Sequence, residues 1–161
     1  MGSARVTAFA VASSIAFLSS SALASSCWQP NEIKAAQVRS FQAMVMVGTL
    51  QCRHSNSFAV ERYNEFVERH RGFLDANARI LKAHFAREAA YVPVQDAYDK
   101  YATELSNIQS AQNSLDPDFC GRVDLLVRTA ASSSQSDLLS LAQAVADEPV
   151  SGPCAPSGYA A

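Results

Sequence analysis

The sequence predicts an all-α fold, an antiparallel bundle of four to five helices stapled by two disulfides. Three observations point there. Apolar residues recur at steps of three and four along most of the chain, the period of an amphipathic helix and not of a strand. Pro30, Pro93, Pro117, Pro149, Pro153 and Pro156 fall at the edges of those stretches and never inside them. Cys27, Cys52, Cys120 and Cys154 form an even set downstream of an export signal, where paired thiols stay oxidised. With 161 residues, 48% hydrophobic and 17% charged, the chain has room for one core and is too apolar to stay disordered.

Residues 1–24 read as a cleaved secretory signal, residues 25–148 as the bundle and residues 149–161 as a Pro/Gly-rich tail. Arg5 precedes an apolar run from Val6 to Leu18, and Ala22-Leu23-Ala24 offers small residues where a signal peptidase cuts. The run is shorter than the roughly 20 residues a helix needs to cross a bilayer, so no membrane span is expected after cleavage. Lipidation of Cys27 would make the product a lipoprotein, but Ala24-Ser25-Ser26 is a poor match to a lipobox. The expected location is periplasmic or secreted.

Pro30-Asn31-Glu32 opens the first helix, which runs to Cys52. Its second half, Phe41 to Leu50, is apolar nearly all round, as in a helix at the centre of a bundle. Met44, Val47 and Leu50 are expected in the core, and Gly48 is expected to admit a neighbouring helix. Arg53 to Ser57 is a turn, with Asn56 or Ser57 as the next N-cap. The stretch Glu32–Cys52 resembles the opening helix of exported bacterial proteins, which implies a setting and no activity.

The second helix, from Phe58 to about Ala90, carries Tyr63, Phe66, Val67, His70, Phe73, Leu74, Asn77, Ile80, Leu81, His84 and Phe85 along one face. Glu65 with Arg69, and Asp75 with Arg79, have the favourable i, i+4 spacing on the other face. Pro93 opens a third helix with Val94, Tyr98, Tyr101, Leu105 and Ile108 inward, running to about Asn113. Asp116-Pro117 caps a fourth, with Phe119, Val123, Leu126, Val127 and Ala130 inward. Ser134 to Asp137 resembles a capping box for a fifth, with Leu138, Leu139, Leu141, Ala142 and Val145.

An up-and-down tracing of these helices brings Cys52 and Cys120 to the same end of the bundle. The expected bridges are therefore Cys52–Cys120 and Cys27–Cys154, the second tying down the tail. Trp28 then covers the bundle end beside a disulfide.

Several chemistries lack their residues. Thirteen basic against fifteen acidic residues give a net charge of −2, and loss of Arg5 with the signal makes it −3, so nucleic acid is not an expected partner. The cysteines are too far apart for a C-x-x-C zinc site or covalent haem. There is no Glu-x-x-His, H-E-x-x-H, G-x-S-x-G, S-x-x-K or glycine-rich phosphate loop. Asp116 and Asp118 are paired carboxylates, but Pro117 between them makes a helix cap a sufficient explanation. No catalytic residue, metal ligand or cofactor is assigned.

One pattern stands out from the apolar face. His70, Asn77 and His84 recur every seven residues, and Gln37 of the first helix could face them. A polar seam of this kind either lines a ligand cleft or consists of hydrogen-bonded core residues that fix helix register. Rungs about 10 Å apart cannot share one small site, which favours the structural role. Haem held by Met44 or Met46 with His70 or His84 is a further possibility, although methionine at helical spacing is more often core filler. The sequence thus reads as an exported helical binding or interaction module whose partner is another envelope or extracellular protein. The alternatives are a small-ligand or haem carrier, and an enzyme of unrecognised type.

Overall fold

The computed structural model describes residues 27–55, 58–88, 91–112 and 117–146, with Gly152 and Cys154. The signal segment, the caps expected at Asn56, Ser57 and Asp116, the helix end at Asn113 and most of the tail lie outside the described residues. Five helices follow one another: α1 (Pro30–Cys52), α2 (Ala59–Glu88), α3 (Val94–Gln112), α4 (Phe119–Ser132) and α5 (Gln135–Val145). The fold is an all-α bundle with two disulfides, as the sequence predicts.

Contacts along the helices fix their directions. Phe41 meets Phe66 edge-on and Glu32 meets Arg87, so α2 runs antiparallel to α1. Gln51 reaches Ser110, which aligns α3 with α1. Cys52 bonds Cys120, while Arg62 pairs with Asp124 and His70 with the carbonyl of Ala130, so α4 descends alongside α2. These legs are the up-and-down path from which the Cys52–Cys120 bridge was expected, and its Cα atoms are 5.5 Å apart.

Helix α1 touches all four other helices, which accounts for a sequence apolar on nearly every side. Its buried stripe is not the expected one. Phe41, Val45, Gly48 and Cys52 face the core, whereas Met44 and Val47 are half-buried and Leu50 is 52% exposed. At 3.6 residues per turn Leu50 lies roughly opposite the positions two residues away on either side, Gly48 and Cys52, which face α4. Gly48 does admit a neighbour: a Cβ there would sit 2.6 Å from Cγ2 of Val123.

Two sub-cores result. The larger joins Val38, Phe41 and Val45 to Phe66, Val123, Val127, Leu138 and Ala142, drawing on α1, α2, α4 and α5. The smaller surrounds Ala35, Ala36 and Leu81, with Trp28, Ile80, Phe85, Tyr98 and Tyr101 packed against it. Helix α4 has 14 residues against 30 in α2 and cannot cover its whole length, so α3 and Trp28 close the other end. Three expectations shift by one or two residues. Ile108 is exposed, because the buried stripe of α3 is Ala102, Leu105 and Gln109. The N-cap of α4 is Asp118, and Pro93 precedes α3, its carbonyl accepting from the N–H of Ala97. The spaced pairs Glu65/Arg69 and Asp75/Arg79 do not close among the described residues, where Arg62 and Arg128 both pair with Asp124 instead. The α5 cap forms as expected, Ser134 accepting from the Asp137 N–H.

Gly152 and Cys154 lie against the start of the bundle. Cys27 and Cys154 are bridged with Cα atoms 4.8 Å apart, the N–H of Trp28 donates to Gly152, and the N–H of Cys154 donates to Trp28. Gly152 takes a φ of 81°, a left-handed conformation that glycine adopts without the Cβ clash other residues meet.

Candidate functional site

All four residues of the expected polar seam are buried, but the structure does not bring them into one site. His70 Nε2 lies 3.0 Å from the Ala130 carbonyl, an acceptor only, so Nε2 carries the proton and ties α2 to α4. His70 Nδ1 is left without a partner. Asn77 donates from Nδ2 to the Phe73 carbonyl of its own helix at 2.8 Å. His84 turns toward the start of α1. Gln37 is buried with Oε1 unpartnered and is bonded to none of the three. The seam is a series of separate anchors along α2.

The strongest of these anchors centres on Glu32, which sequence reasoning named only as part of a helix start. Glu32 is 3% exposed, and its carboxylate accepts from Arg87 Nη1 at 2.7 Å, from Arg87 Nη2 at 2.9 Å and from the Gln29 N–H at 2.9 Å. His84 Nδ1 stands 3.0 Å from the same carboxylate and 3.0 Å from Arg87 Nη2. The two hydrogens of Nη2 already point to Glu32 and to the Cys27 carbonyl, 3.3 Å away. Nδ1 therefore carries a proton and donates it to Glu32. Burial works to raise the Glu32 pKa, but the Arg87 bonds, the Gln29 N–H and His84 together outweigh it and hold the carboxyl at about 2. The same pairing raises the Arg87 pKa.

Trp28 lies over this cluster as a lid. Its ring stacks on His84 with centroids 3.7 Å apart, and it meets Phe85 edge-on and Tyr101 at a tilt, both at 6.1 Å. The expected place for Trp28, at the bundle end beside a disulfide, is the place it occupies.

On the outer side of the same aromatic group the surface opens into a groove of about 440 Å³ between α2 and α3. Phe85 and Tyr101 form its floor, their centroids 5.3 Å apart, with Val92 and Ala97 beside them and Asp96, Lys100 and Glu104 along one rim. The Tyr101 hydroxyl is buried without a hydrogen-bond partner, and burial raises its pKa despite the opposing charge of Arg39. Tyr91, fully exposed, leads into Val92. Sequence reasoning placed Phe85 and Tyr101 on core faces and missed the groove. The available signal was the i, i+4, i+8 series Asp96, Lys100, Glu104 running beside Ala97 and Tyr101.

A second concave strip between α2 and α4 sets Arg62, Arg69 and Arg128 against Glu65 and Glu68, a mixture of charges with no dominant sign. Among the described residues no group of three or more His, Cys, Asp or Glu is placed to hold a metal ion, and no helix is long and apolar enough to cross a membrane. No family model, curated protein or solved structure matches the chain.

Proposed function

We propose that this chain is an exported, disulfide-stapled binding module that recognises its partner through the groove between α2 and α3. Export rests on the Arg5–Ala24 signal pattern and on the even set of cysteines, which two bridges pair completely. The observation that carries the binding reading is the contrast between the seam and the groove. His70, Asn77 and His84 are engaged within the fold, whereas Phe85, Val92 and Tyr101 line an open surface beside an uncovered Tyr91. Aromatic, partly apolar surface left open at the edge of a bundle is the usual composition of a contact site.

The expected partner is an envelope or extracellular protein. A second reading, a small-ligand carrier, is supported by the volume of the groove, which falls in the range of ligand pockets. On that reading the ligand sits in the groove and not among the seam residues of the bundle core. The test is purification of the mature protein from its native compartment as wild type and as Ala97→Trp, a substitution that fills the groove from its lining. The reading expects a companion species with the wild type that is lost from the variant at unchanged thermal stability.

A further inference from the structure

The groove's rim is unevenly charged, and this narrows what it can hold. Asp96, Lys100 and Glu104 stand one turn apart along α3. Lys100 Nζ is 4.0 Å from Glu104, so the basic residue is shared with the far carboxylate. Asp96 enters no ion pair among the described residues and lines the groove together with Val92. Its place in the first turn of α3 is one where the helix dipole favours a negative charge. Below it lie the Phe85 and Tyr101 rings, whose faces carry negative electrostatic potential. Trp28 packs against both rings, and His84 meets Phe85 edge-on.

Aromatic rings below and a carboxylate outside any ion pair at the rim attract the same chemistry, a cation of low hydration carried on an apolar body. We infer that the groove binds a small organic cation, a protonated or quaternary amine with an aromatic or alkyl body. The ammonium sits between Asp96 and the ring faces, and the body lies over Ala97 and Val92. An anion is disfavoured by both features, since Lys100, the basic residue on this rim, is drawn toward Glu104. This inference rests on the small-ligand form of the reading above.

Benzyltrimethylammonium and its neutral carbon isostere neopentylbenzene are suitable probes, titrated into the oxidised mature protein by calorimetry, with amide shifts at Ala97 and Tyr101 locating the site. The cation should bind about tenfold more tightly than the isostere. Asp96→Asn should abolish that preference, and Lys100→Gln, at a side chain 80% exposed, should increase it. Equal binding of the two probes, or a preference that survives Asp96→Asn, overturns the cation assignment and leaves the groove as a binding surface. Failure of both probes to bind overturns the inference as a whole. The binding-module reading is judged separately, by loss or retention of the companion species in Ala97→Trp.

Discussion

Glu32 and Arg87, from the first turn of α1 and the last turn of α2, meet through two hydrogen bonds of 2.7 and 2.9 Å. The pair closes the end of the bundle that α4 does not reach. A buried carboxylate of this kind is tolerable because each of its oxygens is occupied by donors.

Removal of one partner should therefore cost far more than a surface ion pair. Glu32→Gln leaves Arg87 and His84 facing a neutral amide, and the expected loss is roughly 3–5 kcal/mol in chemical denaturation. A loss below about 1 kcal/mol would place the pair in the class of exposed bridges.

The same carboxylate sets an acid limit. Its pKa falls from 4.5 in the ordinary state to about 2 in the fold, so the stability it contributes is complete above pH 4.5. That contribution is lost as the pH falls from about 4.5 through about 2, and its size is of the order of 3 kcal/mol. Stability measured against pH should decline across this window in the wild type and decline less in Glu32→Gln. Parallel curves would show that another group governs the acid limb.

Two glycines in helices should respond with opposite signs. Alanine favours a helix over glycine by about 1 kcal/mol, and at Gly72, with nothing within 4 Å of a new Cβ, Gly72→Ala should stabilise by about that amount. At Gly48 the Cβ would meet Val123 at 2.6 Å with Phe119 behind it at 3.3 Å, and Gly48→Ala should destabilise by about 1–3 kcal/mol despite the propensity. Thermal midpoints of the two variants decide this, and a stabilised Gly48→Ala would show that Val123 yields without cost.

Helix α1 offers a test of which face is inside. Val45 is fully buried, and Val45→Asp places an unpaired charge in the larger sub-core and should prevent folding. Leu50→Asp, at a position half open to water, should change the thermal midpoint by little. The reverse ranking would restore Leu50 to the core.

These residues also show how far the sequence was legible. The α2 face could be read residue by residue, because one side of that helix meets solvent and its period is visible. In α1 the apolar run marked a central helix but hid its register, since an all-round apolar segment gives no periodic signal to choose between Leu50 and Val45. The cysteine pairing was legible because helix order and short connections determine which ends meet. Glu32 with Arg87 was not, because 55 residues separate them and a glutamate in a first turn is already explained by the helix dipole. The groove was hidden for a similar reason: Phe85 and Tyr101 have the spacing of core residues, and that spacing does not tell a half-buried ring from a buried one.

The proposed division, a seam that holds the fold and a groove that binds, is tested by one paired measurement. Thermal midpoint and retention of the companion species are recorded together for wild type, Asn77→Leu, His70→Phe and Ala97→Trp. The seam variants should shift the midpoint and keep the companion, because an apolar residue of similar size replaces both the polar group and its need for a bond. Ala97→Trp should keep the midpoint and lose the companion. A companion lost from the seam variants and retained by Ala97→Trp, or a wild-type protein that purifies alone, would contradict that division.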